Sequence, residues 1–149
     1  MSFWIEGWVE ITTFIGLEQS EDYAWSSVVD LGALIDAADA ISEQLFGLSK
    51  RCVSGKFNLS PLAANRGLPS NPSPQVRKEM EMISEHEQHY GEGEFGGYTH
   101  ALWREIKASS VQETANQSDW SVVFDIVHRL EQDQRFSDDQ IRFVVWYLW

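Results

Sequence analysis

The chain has 149 residues, a net charge of −12, seven tryptophans and one cysteine. That length suits one domain, residues 1–149, with a full core and no need of disulfide or metal staples. The acidity argues against general nucleic-acid binding and against an anionic membrane surface as partner. No run nears the roughly 18 apolar residues of a membrane span.

Residues 3–15 alternate with a period of two and read as a strand. Phe3, Ile5, Val9 and Ile11 share one face. Trp4, Glu6, Trp8, Glu10 and Thr12 share the other, so a helix or a partner is expected to cover that second face. Gly16–Asp22 reads as a polar turn and Tyr23–Leu31 as a second strand, antiparallel to the first. Asp36 suits a helix cap, with Ile41, Leu45 and Leu48 at helical spacing and Gly47 at the left-handed C-terminal position. Phe57, Leu59 and Leu62 suit a short edge strand, and Asn65–Pro69 a turn. Ser73-Pro74 starts a helix whose apolar face is Val76, Met80 and Ile83 and which Gly91 stops. Gly91–Gly97 is expected to be a mobile loop. Tyr98–Ile106 reads as a strand, with a helix from Leu102 as the alternative, and Ser109–Gln117 as a linker. Ser118 opens an amphipathic helix through Leu130. Ser137 and Gln140 form a capping-box pattern before the apolar run Phe143–Trp149. That run reads as a buried or chain-contacting helix, with a terminal strand as the alternative. The expected fold is α+β: a small antiparallel sheet with helices mainly on one face and two C-terminal helices, able to dimerise through the C-terminal apolar segment.

Charge is unevenly distributed. Residues 47–78 carry six of the eleven basic residues (Lys50, Arg51, Lys56, Arg66, Arg77, Lys78), all four prolines and no acid. Arginine and lysine offer charge-assisted bonds to phosphate, and tryptophan offers a stacking face. The favoured site for a small anionic, nucleotide-like ligand is therefore Arg51, Lys56 and Arg66 for phosphate, Trp8 and Trp103 for stacking, and His100 for a hydrogen bond. The bland alternative is that these cations balance nearby acids. No glycine-rich phosphate loop is present, so this is not a standard nucleotide fold.

Two other functions compete with that one. Glu6, Glu10, Trp4 and Trp8 suit an acidic face docking on a basic host protein. His100 suits a small hydrolase, although no serine elbow accompanies it and Glu105 falls on the other strand face. His86 and His89 are spaced one residue short of a zinc-binding helix pair and read as a solvated helix end, so no metal and no cofactor are expected. Cys52, the lone cysteine, points to a reducing compartment, and Met1–Glu6 shows no leader pattern.

The segments Gly7-Trp8-Val9-Glu10, Leu45-Phe46-Gly47-Leu48, Asn65-Arg66-Gly67-Leu68-Pro69 and Tyr98-Thr99-His100-Ala101-Leu102-Trp103 resemble patches of small accessory proteins encoded by bacteriophages. The resemblance spans about residues 3–106 and departs over the last forty or so. It implies a protein of the host bacterial cytoplasm that blocks a defence by sequestering a nucleotide signal or occupying a host protein. It implies no catalytic residues.

Overall fold

The computed structural model describes residues 2–13, 25–57 and 59–149. Four strands form one antiparallel sheet: β1 (Trp4–Ile11), β2 (Ser26–Asp30), β3 (Phe95–Leu102) and β4 (Ile141–Leu148), in the spatial order β2-β1-β4-β3. The chain is α+β, as expected. The helices are α1 (Leu31–Leu34), α2 (Ala40–Phe46), α3 (Lys50–Val53), α4 (Pro74–Tyr90), α5 (Trp103–Ser109) and α6 (Trp120–Gln132). The expected turn at 16–22, and the first residues of the second strand, lie outside the described residues.

The principal correction concerns the C-terminus. Residues 141–148 are a strand with both edges paired, to β1 along Trp4–Ile11 and to β3. The run is apolar on all sides because β4 is covered on both faces. Period alone does not separate a short, wholly apolar strand from a buried helix. Only half of the Ser137–Gln140 box forms: Ser137 N–H donates to Gln140 Oε1 at 3.0 Å, but Gln140 N–H donates to the Ser137 carbonyl and not to its hydroxyl. Gln140 Nε2 then donates to the Thr12 carbonyl at 2.8 Å, so these bonds close a turn that leads into the sheet. Residues 141–146 are all buried within the chain. They need no second copy to cover them, which removes the reason for a dimer through this segment.

The two sheet faces differ. Ile5, Val9, Phe143 and Val145 face the main core with residues of α1, α2, α5 and α6. Phe143 is its hub, with ring centroids 6.0 Å from Trp103, 6.2 Å from Trp120, 6.3 Å from Phe124 and 6.4 Å from Phe46. The opposite face carries Trp8, Val144 and Trp146 and is covered by α4 through Val76 and Ile83. This is the helix that the alternation of β1 called for. Helices thus lie mainly on one face.

Local capping rules are obeyed where the signals were short-range. Ser73 Oγ accepts from Val76 N–H at 3.2 Å, with Pro74 at the first helical position. Asp39, not Asp36, caps α2, and Gly47 ends it in the left-handed region at φ 66°. The expected edge strand at 57–62 is absent among the described residues there. Phe95–Leu102 is strand, so the expected mobile glycine loop shrinks to 91–94, and Trp103 begins a helix. The linker contains a 3₁₀ turn, Val111–Thr114.

Gly7 sits mid-strand at φ 140°, where a Cβ would lie 2.0 Å from the Val144 carbonyl oxygen. A backbone atom of the central strand cannot yield. Gly7→Ala is expected to cost at least about 3 kcal/mol of unfolding free energy, read by urea denaturation.

Candidate functional site

The six residues proposed from sequence do not form one site. Arg51 forms a two-point bond with Glu43, Nε to Oε2 and Nη2 to Oε1, each 2.6 Å, and its guanidinium lies 3.6 Å from the Phe57 ring centroid. Arg66 Nη1 donates to Glu105 Oε2 at 3.0 Å, and Nη2 donates to the Leu62 carbonyl at 3.1 Å. The two arginines are thus bound to carboxylates of their own chain. Lys56 is exposed on the turn after α3. Trp103 is fully buried in the main core, with its indole N–H on Glu131 Oε1 at 2.5 Å, and offers no stacking surface. Trp8 packs on the other side of the sheet. His100 lies near Arg66, whose Nη1 is 3.4 Å from the His100 carbonyl. The His100 ring bonds the Gly67 carbonyl, and no hydroxyl or thiol among the described residues bonds it.

A cavity of about 710 Å³ does border Lys50 and Arg51, but Asp36, Asp39 and Glu43 border it too. Arg51 is already neutralised there, so the cavity carries a surplus of acid and repels phosphate. Glu43 is almost fully buried. The Arg51 hydrogen bond, assisted by Ser49, holds its carboxyl down at about 2.

A second cleft is built differently. It lies between α4 and the sheet and holds about 280 Å³, with walls from Met82, Ile83, Phe95, Trp146 and Leu148 and two carboxylates, Glu6 and Glu79. The strand period places Glu6 on the α4 face of β1, paired in register with Trp146. Glu79 is on α4, three residues past Val76 and four before Ile83, hence on the flank of the buried stripe. Trp8 Nε1 donates to Glu79 Oε2 at 2.8 Å, which fixes that carboxylate at the cleft wall. Gly32 gives Glu6 its room, since a Cβ there would lie 2.5 Å from Glu6 Oε2. His86, at the rim, bonds Glu94 Oε2 at 2.8 Å and ties α4 to the turn before β3.

Glu6 and Glu79 make no ion pair among the described residues. Burial, then the charges of Asp30 and Glu79, push the Glu6 carboxyl up. Burial likewise pushes Glu79 up, against the pull of its bonds from Trp8 and Gln75. These are half-buried carboxylates against apolar walls with no cation of their own.

The sequence-based docking face splits in two. Glu6 borders this cleft and Trp8 bonds its Glu79, while Trp4 borders the cavity of about 710 Å³. Glu10 is withdrawn: it is fully buried, with Oε1 accepting from Arg142 Nε at 2.6 Å and Oε2 from Ser73 N–H at 2.8 Å. Arg142 was overlooked because it sits inside an apolar run. A lone charge between Ile141 and Phe143 was the available signal. His86 and His89 do not share a ligand site, and no group of three metal-ligating side chains exists among the described residues. No helix among those residues is long and apolar enough to cross a membrane.

Compared with protein-family models, curated proteins and solved structures, the chain has no match in any of the three. The likeness to phage accessory proteins therefore rests on the four short motifs alone.

The two carboxylate environments give opposite pH signatures. Glu43 has a depressed folded-state pKa, so it stabilises above the unfolded carboxylate range and loses this as pH falls towards about 2. Glu6 and Glu79 have raised values, so they favour the fold when protonated and weaken it as pH rises through those values. Glu6→Gln is expected to raise the melting temperature at pH 7, with the gain fading towards pH 4. Glu43→Gln should lower it at pH 7, with the loss fading only at strongly acid pH. Thermal melts across pH check both signs.

Proposed function

We propose that the protein is a non-enzymatic docking protein whose α4-side cleft receives a lysine or arginine side chain from a basic partner protein. The observation that carries this reading is the Glu6–Glu79 pair, two carboxylates at an apolar cleft that no lysine, arginine or histidine among the described residues pairs with, His86 at the rim being bonded to Glu94. A basic side chain matches both parts, since its methylene stem lies on apolar walls while its head meets the acids. The volume of about 280 Å³ has room for one long side chain.

The surroundings support an interface. Met82 is 61% exposed at the cleft rim and Tyr90 is 77% exposed two turns further along the same face of α4. Trp4, 43% exposed, pairs in register with Leu148 of the cleft wall. Aromatic residues and methionine are enriched in protein interfaces. A net charge of −12 would steer a basic partner towards this rim. Occupying a host protein is one of the two roles implied by the phage resemblance, but the docking reading does not depend on it.

A lysine-rich peptide should bind the protein with an affinity that falls as salt rises. Replacing Glu6 and Glu79 together by glutamine should weaken binding at least about tenfold, about 1.4 kcal/mol, without loss of the fold. Titration calorimetry at two salt concentrations reads this. Equal affinity in the double variant would place the contact elsewhere.

A further inference from the structure

The same sheet face carries a second, unrelated feature. Glu10 lies four residues along β1 from Glu6, about 13 Å at strand rise. Here a cavity of about 460 Å³ is bordered by Trp25, Pro69, Asn71, His100, Asp139 and Arg142. Its volume falls in the range of small-molecule sites.

Arg142 is held from every side. Its side chain is 6% exposed. Nε donates to Glu10, Nη1 to Asn71 Oδ1 at 2.9 Å and Nη2 to the Asn71 carbonyl at 2.7 Å. The guanidinium carbon lies 4.0 Å from the Trp25 ring centroid. A guanidinium has five N–H groups. Three are placed, and two have no partner among the described residues. A buried ion pair is often no more stabilising than apolar side chains of similar volume. Stability alone therefore does not explain a pinned arginine in a cavity wall.

His100 adds a group of fixed polarity. Its Nδ1 lies 2.8 Å from the Gly67 carbonyl oxygen. A carbonyl only accepts, so Nδ1 carries the hydrogen and, in the neutral ring, Nε2 keeps its lone pair. Asp139 is a further acceptor, with a half-exposed side chain that Ser137 Oγ anchors at 2.5 Å. The lining thus combines N–H donors from Arg142 with acceptors from His100 and Asp139, between the apolar surfaces of Leu68, Pro69 and Leu102. Glu10 cancels the Arg142 charge, and Arg104 Nη1 lies 4.0 Å from Asp139 Oδ2, so the cavity is close to neutral and an anion gains no net attraction.

We infer that this cavity binds a neutral, planar heterocycle bearing a ring carbonyl beside a ring N–H, the chemistry of the nucleobases. The carbonyl takes the free Arg142 hydrogens and the ring N–H donates to His100 Nε2 or Asp139. This site is independent of the docking cleft, and either can fail without the other.

The test is an amide and indole NMR titration of the full chain with uracil, hypoxanthine, 1,3-dimethyluracil and uridine monophosphate. Uracil or hypoxanthine should give saturable shifts at Trp25, Asn71 and His100. Dimethyluracil, which lacks the N–H, should bind at least about tenfold more weakly, and the phosphate should add nothing. His100→Ala should lower affinity about tenfold. Asp139→Asn, at a half-exposed position safe for the fold, should also weaken it. Absence of saturable shifts with either base, equal binding of dimethyluracil, or binding only through phosphate would overturn the assignment.

Discussion

Everything in this fold follows from β4 being sealed on both faces and along both edges. An apolar strand in the middle of a four-stranded sheet needs a helical layer above and below. The main core supplies one through Phe143 and Val145. The other is a single helix, α4, seated on Val144 and Trp146. One helix does not cover a whole sheet face. The polar residues that β1 sends to that side, Glu6, Trp8 and Glu10, must be satisfied by what α4 and its flanking loop can reach.

They are satisfied unequally, and the inequality defines the sites. Glu10 receives the strongest treatment: a buried arginine and a backbone N–H from the start of α4. Trp8 gives its indole hydrogen to Glu79. Among the described residues Glu6 receives no cation, and Glu79, its neighbour across the cleft, receives none either. A carboxylate held part-way out of water without a counter-charge is a cost to the folded chain. A basic group arriving from outside relieves that cost, and this is the thermodynamic basis for binding at the cleft.

The sequence made the local features plain and hid the long-range ones. The Ser73-Pro74 helix start and the Gly47 cap depend on neighbours within a turn, so they were legible. The second face of β1 was legible as a face awaiting cover, because alternation is local too. The partners of Arg51 and Arg66 were not: Glu43 and Glu105 lie 8 and 39 residues away. The charge contrast of residues 47–78 was real, but the chain neutralises both arginines internally. Trp103 was misplaced because the alternating pattern runs on to Ile106, past the true strand end at Leu102, where α5 starts and turns the indole into the core. The C-terminal strand was obscured by a capping-box sequence of which only one bond forms, and that bond serves a turn.

The most direct measurement is the titration of the Glu6 and Glu79 side-chain carboxyl carbons by NMR, in the free protein and with a saturating lysine-rich peptide. In the free protein both should titrate above the ordinary glutamate range, and with the peptide bound both should fall, because a cation now faces them. Midpoints that are ordinary in the free protein, or unchanged by the peptide, would contradict the account of an acidic cleft that awaits its counter-charge.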